Sequence, residues 1–171
     1  MKRFKDLIHQ DKVGLFVGRF QPLTKAHTDI INIISEENDK GIIFLVKAKK
    51  KDDKKSPFDE HIQRKLLEQI LPENIEVVTL PSGFFVDYIN ELSSNEFSIY
   101  AGSDRIQSYE SFKKYMTDGK TLYTKEIKRT DTDISGTKVR DTLKNNDKKL
   151  FENLTDKRIH KYYNELREYL K

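Results

Sequence analysis

Short apolar runs alternate along the chain with longer stretches in which apolar residues recur at helical spacing, and this alternation constrains the fold more than any other feature. Val13 to Val17, Ile42 to Val46, Ile75 to Leu80, Phe97 to Ala101 and Thr121 to Ile127 have the length and the β-branched or aromatic content of strands. Between them, Ala26 to Glu37, Asp59 to Leu71, Phe85 to Leu92 and Ser108 to Met116 read as helices. A strand followed repeatedly by a helix implies an α/β fold, its parallel strands joined by crossover helices.

Ser56-Pro57-Phe58-Asp59 marks the start of the second helix: Ser56 as cap, Pro57 at the first helical position, Asp59 at the positive end. After the fifth run the pattern turns helical at Ser135 to Leu143 and again at Asp156 to Leu170, with no further strand signal. No internal repeat or Pro/Gly/Ser linker divides the chain. The expectation is one domain over 1–171, its core in 13–145 and a helical extension over 146–171.

Composition narrows the chemistry. Cysteine is absent, which removes disulfides, thiolate metal sites and cysteine nucleophiles together and points to a reducing compartment, the cytoplasm. The opening MKRFKDLIHQDK is too polar for a secretory leader, and no apolar run approaches the roughly 20 residues that span a bilayer. Lys+Arg 32 against Asp+Glu 28 leaves a net charge of +4, which favours anionic small substrates without requiring nucleic acid.

Two segments carry the chemistry. Val17 to His27 lies where the first strand ends and an amphipathic helix begins, at the edge of a parallel sheet where ligands bind. Gly18 permits close backbone approach, Pro22 stiffens the turn, and His27 falls in the first helical turn, where N–H groups and the dipole favour phosphate. Alternatively, Thr24 simply caps a helix and His27 is a surface residue. Asp133 to Arg140 follows the last strand and opens another helix, with hydroxyls at Ser135 and Thr137, room at Gly136 and positive charge at Lys138 and Arg140. It reads as a polyphosphate cradle or as an ordinary Ser-capped helix.

Together these segments resemble the (H/T)xGH nucleotidyltransferase superfamily, whose marks are a GRFxPxHxGH-like stretch after the first strand and an ISSTxxR-like stretch near the end. Here they read GRFQPLTKAH, Gly18 to His27, and ISGTKVR, Ile134 to Arg140. The first motif histidine is Thr24 here, and the motif glycine is Ala26. Ser56-Pro57-Phe58 with Arg64 looks like the NPF...ER segment of adenylyltransferases acting on nicotinamide mononucleotide, and Ala101-Gly102-Ser103-Asp104 resembles the loop after the fourth strand. Competing phosphate signatures are missing, since there is no GxxxxGK[ST] and no GxGxxG.

The resemblance implies a Rossmann-like, doubly wound, five-stranded parallel sheet with a C-terminal helical appendage. It also implies transfer of a nucleoside monophosphate from ATP, or CTP, to a small phosphorylated acceptor, with pyrophosphate released and Mg2+ travelling on the nucleotide. Nicotinamide mononucleotide is the favoured acceptor; phosphopantetheine, or glycerol phosphate and choline phosphate with CTP, remain open. By the same resemblance His27, Thr24 and Arg140 act at the transferring phosphates. Gly18, Arg19, Phe20, Gln21, Gly102, Asp104, Ile134, Ser135, Gly136 and Thr137 meet the nucleotide, and Lys47, Pro57, Phe58 and Arg64 meet the acceptor. No protein cage for a metal is expected.

Other readings stay open. Asp104 is a ribose or metal-water contact or a helix cap. The lysine run from Lys47 to Lys55 is an electropositive lid over the phosphates or a solvated loop. Tyr162 and Tyr163, among Lys157, Arg158, His160 and Lys161, are packing residues more readily than nucleic-acid contacts. The same terminal helix would suit a homo-oligomer interface. Ala26 keeps alive a noncatalytic nucleotide- or nucleic-acid-binding module on the same fold.

Overall fold

A computed structural model describes residues 11–52, 54–128 and 134–171. The first ten residues and Asp133 of the second motif lie outside the described residues.

The five strands are β1 (Lys12–Gly18), β2 (Lys40–Val46), β3 (Ile75–Leu80), β4 (Glu96–Ala101) and β5 (Thr121–Glu126). They form one sheet in the order β3-β2-β1-β4-β5, with every neighbouring pair parallel. β2 explains how helices come to cover both faces, because its residues are apolar on both. Ile43 and Leu45 belong to one buried cluster and Ile42 and Phe44 to the other, as expected of a strand covered on both sides.

On the Ile43 side lie α1 (Lys25–Glu37) and α2 (Glu60–Glu68), which contribute Ile31, Ile34, Ile62 and Leu66. On the Phe44 side lie α3 (Val86–Asn90) and α4 (Ser103–Phe112); Phe85 at the cap of α3, Ile89 within it and Tyr109 of α4 join Phe97 and Ile99 of β4 in one buried cluster. This is the doubly wound, Rossmann-like architecture. α5 (Gly136–Lys144), α6 (Lys148–Leu154), a 3-10 turn (Lys157–Tyr162) and α7 (Tyr163–Glu168) complete the chain.

Three boundaries differ from the sequence reading. α2 is capped by Asp59, whose Oδ1 accepts from the Ile62 N–H at 3.0 Å, and not by Ser56. Ser56 is drawn upstream into a backbone bridge with Asp52, which leaves Pro57 ahead of the helix. α4 begins at Ser103 and not Ser108, because Gly102 takes the cap position and Asp104 sits favourably in the first turn. The terminal region is three elements and not one helix. Asn146, at φ 54°, ends α5; Asp147 caps α6 by accepting from Leu150 N–H, and Asp156 caps the 3-10 turn by accepting from Arg158 N–H.

The terminal elements pack onto the α1 and α2 face through Phe151, Leu154, Ile159, Tyr163 and Leu166. Burial of one such large side chain contributes about 1.5–3 kcal/mol. Tyr163 is buried and its hydroxyl donates to Asn146 Oδ1 at 2.7 Å, while Tyr162 lies under the ammonium groups of Lys65 and Lys161. Both tyrosines thus serve packing. Among the described residues no helix is long and apolar enough to cross a membrane.

Candidate active site

The strand order creates a place for a ligand. From β1 the chain moves outward through β2 to β3, then returns to the other side of β1 as β4, so the turns leaving β1 and β4 diverge. At their carboxyl ends this leaves a crevice, the usual binding position in open α/β sheets. A cavity of about 400 Å3 opens there, lined by Gly18, Arg19, His27, Gly102, Asp104 and Arg105. A second cavity of about 400 Å3 is lined by Thr24, Ala26, His27, Ile134, Ser135 and Gly136. Phe16, His27 and Gly102 line both, so His27 stands where the two clefts meet.

The first turn of α1 fixes this histidine. Thr24 and His27 form a reciprocal capping box: Thr24 Oγ1 accepts from the His27 N–H at 3.4 Å, and the Thr24 N–H donates to His27 Nδ1 at 3.0 Å. A backbone N–H can only donate, so Nδ1 is the acceptor and the proton of the neutral ring resides on Nε2. The ring is backed by Phe20 at 4.8 Å and Phe16 at 6.1 Å between centroids.

The second motif reaches the same end of the sheet. The Arg140 guanidinium, 8% exposed, donates from Nη1 to the Gln21 carbonyl at 2.6 Å, joining residues 119 apart in sequence. It also donates from Nε to the Lys54 carbonyl at 3.0 Å and from Nη2 to Thr137 Oγ1 at 3.1 Å. Burial pushes its pKa down, and the Asp141 and Asp52 carboxylates push back. Gly136 permits this junction, since a Cβ there would lie 3.0 Å from the Gln21 carbonyl oxygen. Ser135 caps α5 by accepting from the Lys138 N–H at 3.1 Å, which leaves its own hydroxyl proton to donate.

Several expected contacts lie elsewhere. Phe20 and Gln21 are buried; the Gln21 amide exchanges two hydrogen bonds with the Phe58 backbone, at 2.9 and 3.0 Å. Lys47, Pro57 and Phe58 gather with Asp59 and Tyr169 around a separate cavity of about 180 Å3 that shares no lining residue with either cleft. Arg64 donates to Glu60 Oε1 and Thr79 Oγ1 on the β3 side. The Thr79 hydroxyl, then Arg64, hold the Glu60 carboxyl below its ordinary pKa. In the lysine run, Asp52 accepts from the Lys54 and Lys55 N–H groups, and these bonds lower its pKa.

Arg105 was missed because Ser103-Asp104-Arg105 reads as a polar loop; α4 carries it to the cleft that Arg19 also lines. The Tyr109 phenol behind it is pushed up by burial, and Arg105 partly offsets that.

Residues 15–142, well over half of the chain, match the cytidylyltransferase-like family. The chain belongs to that family. It is therefore a nucleotidyltransferase, and the matched span takes in both joined segments, Gly18 to His27 and Ile134 to Arg140. This cytidylyltransferase-like chain is 27% identical over 134 residues to a nicotinamide-nucleotide adenylyltransferase of Methanococcus maripaludis, covering 74% of this chain and 75% of the relative. The fold aligns with that of a Plasmodium falciparum nicotinic acid mononucleotide adenylyltransferase at a TM-score of 0.67 and 17% identity, over 94% of this chain and 98% of the other. A bifunctional NMN adenylyltransferase/ADP ribose pyrophosphatase of Francisella tularensis, solved with AMP and a Mn ion, aligns at 0.63 and 14% identity over 94% of this chain; the match spans 52% of that protein.

Proposed function

We propose that the chain transfers AMP from ATP to the phosphate of a mononucleotide acceptor, nicotinamide mononucleotide first among them, giving NAD and pyrophosphate. The observation that carries the reading is the position of His27 at the junction of two clefts of similar size. The cleft of Ser135 and Gly136 takes the triphosphate, and the cleft of Arg19 and Arg105 takes the acceptor.

In the reaction an acceptor phosphate oxygen forms a bond to the α-phosphorus. The bond from that phosphorus to the bridging oxygen breaks, and pyrophosphate leaves with the electron pair. No protein nucleophile is needed, so catalysis rests on positioning and on stabilising developing charge. His27 Nε2–H donates to the transferring phosphate. The Gly136 and Thr137 N–H groups in the first turn of α5, with the Ser135 hydroxyl, hold the departing phosphates at a helix start, where anions are favoured. Arg140 joins the two motifs from behind the clefts.

Among the described residues no group of three or more His, Cys, Asp or Glu side chains is placed to hold a metal ion, whereas Asp104 and Asp29 each line a cleft as single carboxylates. Such a donor set fits Mg2+ bound mainly by phosphates and water. Bound that way, the ion supplies charge neutralisation across the phosphates; Asp104 would meet its waters.

Incubation of the purified chain with Mg2+, ATP and nicotinamide mononucleotide tests the reading, with CTP and phosphopantetheine as comparison substrates. NAD and pyrophosphate in equal amounts are expected. Pyrophosphate only with another pair moves the substrate assignment, and none with any pair supports the noncatalytic module, for which Ala26 in the cleft is the sequence feature.

A further inference from the structure

Gln63 lies outside the two phosphate motifs, directly before Arg64 in the segment that begins Ser56-Pro57-Phe58, and it is a buried polar side chain, 3% exposed, that reaches from α2 to the first motif turn. Its Nε2 donates to the Arg19 carbonyl at 2.6 Å and to the Phe20 carbonyl at 3.2 Å. The next carbonyl, that of Gln21, accepts from Arg140. Successive carbonyls of the turn are therefore tied to α2 on one side and α5 on the other.

The turn needs this restraint. Phe20 stands at φ 46°, a left-handed backbone that bulky residues rarely adopt and that persists where surrounding contacts over-determine it. The consequence reaches the site, because the Phe20 ring backs the His27 ring and Arg19 opens into the acceptor cleft.

We propose that Gln63 is a positioning residue for nucleotidyl transfer: its amide holds Arg19 and Phe20 in the bent turn and, through the Phe20 ring, sets the place of His27. The inference rests on the function proposed above for the His27 site. A residue that merely filled space would be replaceable by any side chain of similar length; a carbonyl clamp requires a donor.

The test compares the wild-type chain with Gln63→Met, which keeps the length and removes the donors, and Gln63→Lys, which restores one. With ATP and nicotinamide mononucleotide, Gln63→Met is expected to lower kcat about 30-fold while the KM for ATP stays within about threefold, the pattern of a small misplacement of catalytic groups. Gln63→Lys is expected to recover to within about fivefold of wild type, since a second donor type meets the same carbonyls. A Gln63→Met enzyme within about twofold of wild type, or a Gln63→Lys enzyme as impaired as Gln63→Met, overturns the proposal. Should Gln63→Met fail to fold, Gln63→Glu, which keeps the shape but cannot donate when ionised, replaces it with the same expectations. If wild type itself shows no turnover, the functional reading fails separately, and the His27 ring proton resonances decide instead. They shift in Gln63→Met and return in Gln63→Lys if Gln63 places the ring, and stay unchanged in both if it does not.

Discussion

The Thr24 backbone N–H lies 3.0 Å from His27 Nδ1, so the capping box that starts α1 also settles which ring nitrogen carries the proton. Removing the ring and removing the cap are expected to have different consequences. His27→Ala should cut kcat by about 100-fold or more, the usual result of deleting one strong transition-state donor. Thr24→Ala keeps the backbone N–H that fixes the tautomer, so its main cost is the lost side-chain cap, about 1 kcal/mol of stability in urea unfolding. Thr24→Ala impaired as severely as His27→Ala would contradict the division of roles.

Arg140 joins segments that are far apart in sequence, and lysine cannot copy its planar fork. Arg140→Met leaves the buried Gln21 carbonyl without its donor and is expected to destabilise the fold by about 2–3 kcal/mol, measured by denaturant unfolding. Arg140→Lys should recover only part of that. Full stability in Arg140→Met would mean that the latch does not hold the motifs together.

Arg105 lines the cleft assigned to the acceptor and not the cleft of Ser135. Loss of one charge-assisted contact to a phosphate costs about 1.5–3 kcal/mol, so Arg105→Gln should raise the acceptor KM by about tenfold or more. The KM for ATP should hardly move. A rise confined to ATP would exchange the two cleft assignments.

The Glu60 carboxylate accepts from Thr79 Oγ1 at 2.7 Å and from Arg64 Nε at 3.0 Å, and these contacts hold its pKa below the ordinary 4.5. A carboxyl depressed in the folded state stabilises the fold fully above its unfolded-chain pKa, and the contribution is lost as pH falls through the folded value. Glu60→Gln should therefore unfold at a lower temperature than wild type at neutral pH, with the gap closing as the solution is acidified below the ordinary carboxylate range. A gap independent of pH would remove the carboxylate from the explanation.

The parts legible in the sequence were those set by local chemistry. β3 was readable to its ends because Pro81 follows the run Ile75–Leu80. The motif segments were readable because glycine, hydroxyl and histidine recur at strand-to-helix junctions, and the structure brings His27 and Ser135 to one cavity. What escaped depends on residues distant in sequence. Gln21 looked like a ligand contact until its amide met the Phe58 backbone 37 residues away. Phe58 looked like an acceptor contact, but its neighbours Pro57 and Lys47 share their cavity with Tyr169 near the chain end. Arg105 was hidden because polarity alone did not reveal that α4 begins at Ser103.

The central claim is that His27 and the start of α5 grip one triphosphate. NMR titration of the 15N-labelled chain with Mg-ATP tests it most directly, following the His27 Nε2 signal and the Gly136 amide together. Both signals are predicted to shift along a single binding curve with one Kd; a response at only one of them, or two different Kd values, would contradict the claim.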